Sequence, residues 1–153
     1  MPDELTFMMG THEAVFPTDR RYARNHLWLK ALEDAPGVSR VGLTAYSIRL
    51  LKDVYFLDWS AGTEFPVAHR QEIGQIESSK AVSGLYSPGD GLIVQFNEAV
   101  LSDPSLINAD GYGDGWLFDL RTEERGIDAE EYIVHLADAW EVAQRTIKKQ
   151  ITS

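Results

Sequence analysis

EIGQIESSKAVSGLY, residues 72–86, sets two short apolar runs, one around Ile73 and Ile76 and one around Val82, Leu85 and Tyr86, on either side of a small polar tetrad. The tetrad is Ser78, Ser79, Lys80 and Ala81. Small polar residues between two β-prone runs predict a tight hairpin turn. A lysine at the tip of such a turn is held out into solvent on a stiff support. Its amine can form a stable amide, its stem gives reach, and its small neighbours leave room for a modifying enzyme to close around it. A lysine at a hairpin tip is also commonly no more than a solvated charge, so the rest of the chain has to decide between these readings.

Working outward, the chain is predicted to be rich in strands. Leu27 to Ala31 and Ser39 to Leu43 read as strands joined by an EDAPG turn, with Pro36 and Gly37 where a β-turn wants them. Thr44 is suited to cap a short helix through Leu51 that places Tyr46, Leu50 and Leu51 roughly on one face. Val54 to Trp59 reads as a buried strand ended by the SAGT turn. After the lysine hairpin, SPGDG at residues 87–91 makes a reversal into a strand from Leu92 to Phe96. Asn97 caps a helical turn through Leu101, interrupted at Pro104, and Trp116 to Leu120 is the last strand. Residues 1 to about 20 show no clear periodicity and are expected to pack along the domain as a partly ordered arm. From Asp128, apolar residues Ile133, Leu136, Trp140, Ala143, Ile147 and Ile151 recur at steps of three and four. With Asp128 and Glu131 as a capping signal and Lys148 and Lys149 in the last turn, this is a helix whose stripe is expected to pack on its own domain.

Several blocks together resemble a known family, the H protein of the glycine cleavage system and its relatives. Those proteins show ES-x-K-A-V-S-x-L-Y-x-P where this chain has ESSKAVSGLYSP at residues 77–88. HLWLK (26–30) is similar to the family's H-E-W stretch, and GLTAYSIRLLKDVYFLD (42–58) to its G-I-T-x-Y-A and L-G-D-V segments. GLIVQFNEAVLSDPSLIN (91–108) and YGDGWLF (112–118) resemble the segments that close the fold. The resemblance runs from Tyr22 to about Arg121. It implies a mainly β (α+β) fold, a lipoyl/biotinyl-type barrel-sandwich hybrid with short helices and the C-terminal amphipathic helix. The expected organisation is an N-terminal arm (1–21), a lipoyl-carrier domain (22–122) and a helix packed on it (123–153).

The resemblance also implies the chemistry. Lys80 would carry lipoic acid in amide linkage, and the chain would be a carrier acted on by other enzymes. Glu77 matches the acidic position that lipoate-attaching enzymes read in related carriers, with Ser79 and Ala81 as the small neighbours. Biotin carriers place Met on both sides of the lysine instead. His26 aligns with a histidine of the family block and could line a groove where the arm rests. Three departures bear on which carrier this is: the H-E-W glutamate is Leu27, the glycine of L-G-D is Lys52, and a glycine before the hairpin strand is Arg70. FPTDRRYARNHLW, RLLKDVYFLDW and RQEIGQIESSKA look like the lipoate-binding proteins of sulfur-oxidising prokaryotes. That likeness implies service to a heterodisulfide-reductase-like sulfur-oxidation complex, which is the expectation taken forward. The alternatives are an H protein carrying aminomethyl groups among the glycine cleavage enzymes, and an unlipoylated docking adaptor.

Composition sets the outer bounds. The 153 residues suit one compact core, and 44% apolar with 25% charged residues is ordinary for a globular protein. A net charge of −10 argues against nucleic acid, whose phosphates need clustered Lys and Arg. The chain has no cysteine, which removes disulfides, a thiolate metal site and any internal thiol that could exchange with a dithiolane. The apolar run Leu5 to Gly10 is short and follows Asp3 and Glu4, unlike an export signal or a membrane span. A cytoplasmic monomer is expected. DGYGDG (110–115) fails as a calcium loop because Tyr112 and Arg121 fall on ligand positions, and reads as a turn before Trp116. The histidines His12, His26, His69 and His135 lack metal-ligand spacing, and no nucleophile sits beside a base. Neither a metal site nor catalysis by the chain itself is expected.

Overall fold

The computed structural model describes residues 3–152, with side chains described as far as residue 145. Among the described residues three antiparallel sheets surround two apolar clusters. The largest sheet runs β3-β4-β5-β11-β10-β7, from Arg21–Tyr22, Leu27–Ala31, Val38–Leu43, Phe118–Thr122, Gly91–Phe96 and Pro66–Val67 respectively. Facing it is β6-β8-β9, from Val54–Trp59, Glu72–Ser78 and Val82–Tyr86. Leu29, Val41, Ile93 and Leu120 of the first sheet meet Leu57, Ile73, Ile76 and Leu85 of the second in one core. Two sheets closed over a shared core, with short helices at the joins, make the expected mainly β barrel-sandwich hybrid.

β4 shows how the second cluster arises. Its alternation sends Leu27 and Leu29 into the main core and Trp28 out of the opposite face, and all three are buried. Opposite Trp28 in the register stands Gly42 of β5, where a Cβ would lie 2.5 Å from the indole. Glycine is therefore the residue that lets the ring lie flat on the sheet. Trp28 Nε1 donates to the Gly111 carbonyl at 3.0 Å, and the Arg20 guanidinium covers the ring at 4.7 Å.

Two appended elements cover that aromatic face. The first is a hairpin of β1 (Glu4–Met9) and β2 (His12–Pro17). The partly ordered arm expected for residues 1 to 20 is thus a paired ribbon from Glu4 onward. Its two-residue turn has Gly10 at a φ of 66°. The second is α4 (Ala129–Thr152), started by Asp128, whose carboxylate accepts from the Glu131 amide at 2.9 Å. Tyr132 and Leu136 of α4 are buried with Phe16 and Tyr22, and Trp140 packs edge-on to Tyr46. The helix therefore packs on its own chain, as its periodicity implied. The side chains of Ile147, Lys148, Lys149 and Ile151 lie outside the described residues.

Other local expectations divide cleanly. α1 (Ala45–Leu51) starts at Thr44, whose hydroxyl accepts from the Ser47 amide, and α2 (Glu98–Ser102) at Asn97, whose carbonyl accepts from Ala99. The last strand, expected at Trp116 to Leu120, is instead β11 at Phe118–Thr122. Trp116 is held in the preceding turn, its amide donating to the Gly113 carbonyl at 3.1 Å and its carbonyl accepting from Asn97 Nδ2 at 2.7 Å, so backbone pairing starts at Leu117, whose amide donates to the Val41 carbonyl at 2.8 Å. β6, expected to be buried, is buried only at Val54 and Leu57, while Tyr55 and Phe56 face out. The short β3, β7 and α3 (Leu106–Ala109) were not anticipated. In DGYGDG the Asp110 carboxylate accepts from the Asp114 amide at 2.9 Å, which is the turn expected there.

Candidate functional site

Ser78, only 4% exposed, organises the turn between β8 and β9. Its amide donates to the Ala81 carbonyl at 2.9 Å. Its hydroxyl donates to the same carbonyl at 3.2 Å and accepts from the amides of Lys80 and Ala81 at 3.3 and 3.2 Å. A serine that replaces bulk water for three backbone groups stiffens a turn without filling it. Ser79 then fixes the turn to the rest of the protein. Its amide donates to the Asp53 carbonyl at 2.9 Å, and its hydroxyl accepts from the Asp53 amide at 3.2 Å.

Asp53 is itself held from below. Asn108, at the end of α3, accepts from the Val54 amide at 2.8 Å and donates to the Lys52 carbonyl at 2.6 Å. A continuous chain of hydrogen bonds thus runs from Asn108 through residues 52–54 to Ser79. At its end Lys80 is exposed between exposed Ser79 and Ala81. Among the described residues Lys80 Nζ has no hydrogen bond or ion pair. Glu77, half-buried, lies on the cross-strand row between Phe56 and Val82, which are 45% and 59% exposed. Glu77, Ser79, Lys80 and Ala81 lie together at this turn. Ser78, Asp53 and Asn108 were missed. Ser78 carried a signal, being a hydroxyl at the start of a tight turn, but Asn108 carried none.

His26 stands elsewhere, in the loop before β4, with a φ of 70°. It lines a groove of about 410 Å³ with Asn25, Leu50 and Leu51 on one side and Ser83 and Gly84 of β9 on the other. Ser83 is three residues beyond Lys80 on the strand leaving the turn. His26 Nδ1 is 2.9 Å from the Tyr132 hydroxyl, which is 3.0 Å from Thr44 Oγ1. Tyr132 stacks on Tyr22 with centroids 4.8 Å apart, and His26 lies 4.6 Å from the Tyr46 ring. Burial, with the neighbouring His135 adding to it, holds the His26 imidazole down at about 4. It is neutral at pH 7. Burial likewise pushes the Tyr132 phenol well above its ordinary range. A neutral imidazole among leucines suits an apolar guest.

Two of the departures noted in the sequence share a backbone property. Lys52 and Arg70, at positions where the resembled family has glycine, have φ of 65° and 68°. The left-handed region is natural for glycine and costs another residue about 1–2 kcal/mol. The third, Leu27, is buried in the main core.

The sequence profile of the glycine cleavage H-protein family matches residues 20–149. The glycine cleavage system H protein of Streptomyces coelicolor is 40% identical over 119 residues, which are 76% of this chain and 93% of that protein. The H protein of Mycolicibacterium vanbaalenii is 36% identical over 131 residues, 80% of this chain and 97% of its own. The crystal structure of a glycine cleavage system H protein from Mycobacterium marinum superposes with a TM-score of 0.70 at 33% identity, covering 80% of this chain and 99% of that one.

Proposed function

The chain belongs to the glycine cleavage H-protein family, and on that premise we propose that it carries lipoate on Lys80 and conveys the aminomethyl group among the glycine cleavage enzymes. H proteins carry lipoic acid covalently on a lysine and are substrates of their partner enzymes, not catalysts. This chain is such a lipoyl carrier. The observation that supports Lys80 in this role is its isolation, an amine without a partner among the described residues at the apex of a turn braced from beneath. When attached, the lipoyl group supplies a dithiolane that accepts electrons and a transferred group on sulfur. The protein's own part is to hold the lysine rigidly clear of its surface and raise the local concentration of the arm at each docked enzyme. The fit is supported by the groove lined by His26, Leu50 and Leu51, an apolar trough starting beside the turn where the arm can rest. Glu77, Ser79 and Ala81 are assigned to recognition by the lipoate-attaching enzyme.

The same reading places the protein in the cytoplasm as a monomer, with residues 22–122 as the carrier unit and 1–21 and 123–153 as additions. No helix among the described residues is long and apolar enough to cross a membrane. The relatives back glycine cleavage better than the sulfur-oxidation service drawn from the sequence. One observation keeps a heterodisulfide-reductase-like partner as the second reading. Arg24 lines the groove and, among the described residues, no carboxylate does, so an amine cargo finds no counter-charge from them. Reconstitution with glycine decarboxylase and aminomethyltransferase separates the two. Turnover that needs Lys80 supports glycine cleavage, whereas no turnover from fully lipoylated protein, with sulfur loading of its dithiol by a persulfide carrier, supports the second. Absence of any lipoyl adduct in protein from its native source would leave the docking adaptor.

A further inference from the structure

Behind the braced turn lies a second cleft, of about 420 Å³, between β2, α1 and the loop after α3. His12, Arg49 and Lys52 bring basic groups to its wall, against a single carboxylate, Asp53. Arg49 and Lys52 are exposed and make no side-chain hydrogen bond or ion pair among the described residues. On a chain of net charge −10 this is a local reversal of sign. The field is felt inside the cleft, where burial, then Arg49 and Lys52, lower the affinity of His12 for a proton. Lys52 also occupies a left-handed backbone position, where a side chain is disfavoured. Asn108 grips its carbonyl and Ile48 receives its amide, so the backbone there is fixed while the ammonium end is free.

We infer that this cleft is the docking site for carboxylate side chains of the enzyme that acylates Lys80. The inference rests on Lys80 being the carrier residue. The acylating enzyme must bring its reacting carbon to Lys80 Nζ itself. In that step the free amine attacks the acyl carbon of a lipoyl adenylate, the C–N amide bond forms, the acyl–phosphate bond breaks with loss of AMP, and the amine proton goes to solvent. The enzyme's body then covers the surface beside the turn. The cleft is reached there through Asp53, whose backbone is bonded on both sides to Ser79. Its cations Arg49 and Lys52 are exposed, which suits steering of an acidic loop better than enclosure of a small anion.

The test is lipoylation of the full-length apo protein by a lipoate–protein ligase with lipoate and ATP, followed by intact mass. Arg49→Glu/Lys52→Glu is compared with Arg121→Glu/Arg125→Glu, which makes the same change in net charge at side chains that are also exposed and unpaired among the described residues. The cleft variant is expected to lose roughly ten-fold in kcat/KM relative to the control, with the difference disappearing at high ionic strength. Lys52→Gly is the second variant, and guards against a double variant that fails to fold. It should melt higher than the wild type, its left-handed strain relieved, yet be lipoylated more slowly. Equal rates for the two charge-reversed doubles, or Lys52→Gly modified as fast as wild type, would overturn the docking site. Failure of the carrier reading looks different: wild-type protein would then gain no lipoyl mass on Lys80 at all.

Discussion

At the turn of residues 78–81 the backbone is held by small polar groups, Ser78, Ser79 and Asn108, each making two or more hydrogen bonds close to water. Around Tyr132 it is held by rings: Tyr22 stacked on one side, Phe16 edge-on at 5.5 Å, and His26 and Thr44 bonded to the phenol. Both regions fix a loop, but they draw on different forces. Hydrogen bonds position the lysine without covering it, which a site open to modifying enzymes requires. Aromatic burial anchors the appended hairpin and helix onto the carrier and sets the wall of the groove. The difference teaches that stability and presentation are separable here, and substitutions in each region should move one quantity and spare the other.

The largest effect belongs to the aromatic side. Tyr132→Ala removes a fully buried ring and should cost about 3–5 kcal/mol of unfolding free energy. Lipoylation of the molecules still folded should proceed at the normal rate. Urea denaturation with a parallel lipoylation assay reads both, and a loss under about 1 kcal/mol would mean that the cluster does not hold the appended elements. On the turn side, Asn108→Ala leaves the Val54 amide and Lys52 carbonyl without their partner and should cost about 1–3 kcal/mol. Its distinguishing sign is faster hydrogen exchange at the Ser79 amide. Unchanged exchange there would break the proposed brace.

His26 gives the comparison a pH axis. Its folded-state value of about 4 lies below the ordinary 6.5, so the unfolded chain takes up the proton first as pH falls. The stability it contributes is fully present above pH 6.5, drains away between 6.5 and about 4, and is level below that. The loss is on the order of 3 kcal/mol. His26→Asn, which tolerates the left-handed backbone, should flatten that part of a urea-midpoint profile, and a slope that persists would assign it to other groups. The smallest effect is expected at Arg145, whose ion pair with Glu141 lies on the open face of α4. Arg145→Ala should stay within about 0.5 kcal/mol. A larger loss would show that the helix depends on more than its buried stripe.

What could be read from the chain follows the range of the forces involved. Helix starts at Thr44, Asn97 and Asp128 were legible because a cap acts within three residues. The lysine turn was legible because small polar residues between β-prone runs leave few other conformations. The N-terminal hairpin was not, since Met8 on its open face, 52% exposed, blurs the alternation of Leu5, Phe7 and Met9. The start of β11 was displaced at Trp116, whose amide is taken by the Gly113 carbonyl and whose carbonyl is taken by the distant Asn97 side chain. The support of the site lies at still longer range. Asn108 is 54 residues from the amide it receives, and Tyr132 is 106 from His26. No local pattern encodes such pairings, although the glycine-type backbone at Lys52 and Arg70 left a trace as departures from the family's usual residue.

In the proposed function one amine, that of Lys80, braced and without a partner among the described residues, receives the lipoyl group. Peptide mapping by mass spectrometry after treatment with a lipoate–protein ligase tests it most directly, with Lys80→Arg alongside. The wild type should gain a single lipoyl group, on Lys80. The arginine variant should gain none while keeping the far-UV circular dichroism and melting temperature of the parent, because the side chain is exposed. A lipoyl group found on another lysine, or a variant that no longer folds, would contradict the account.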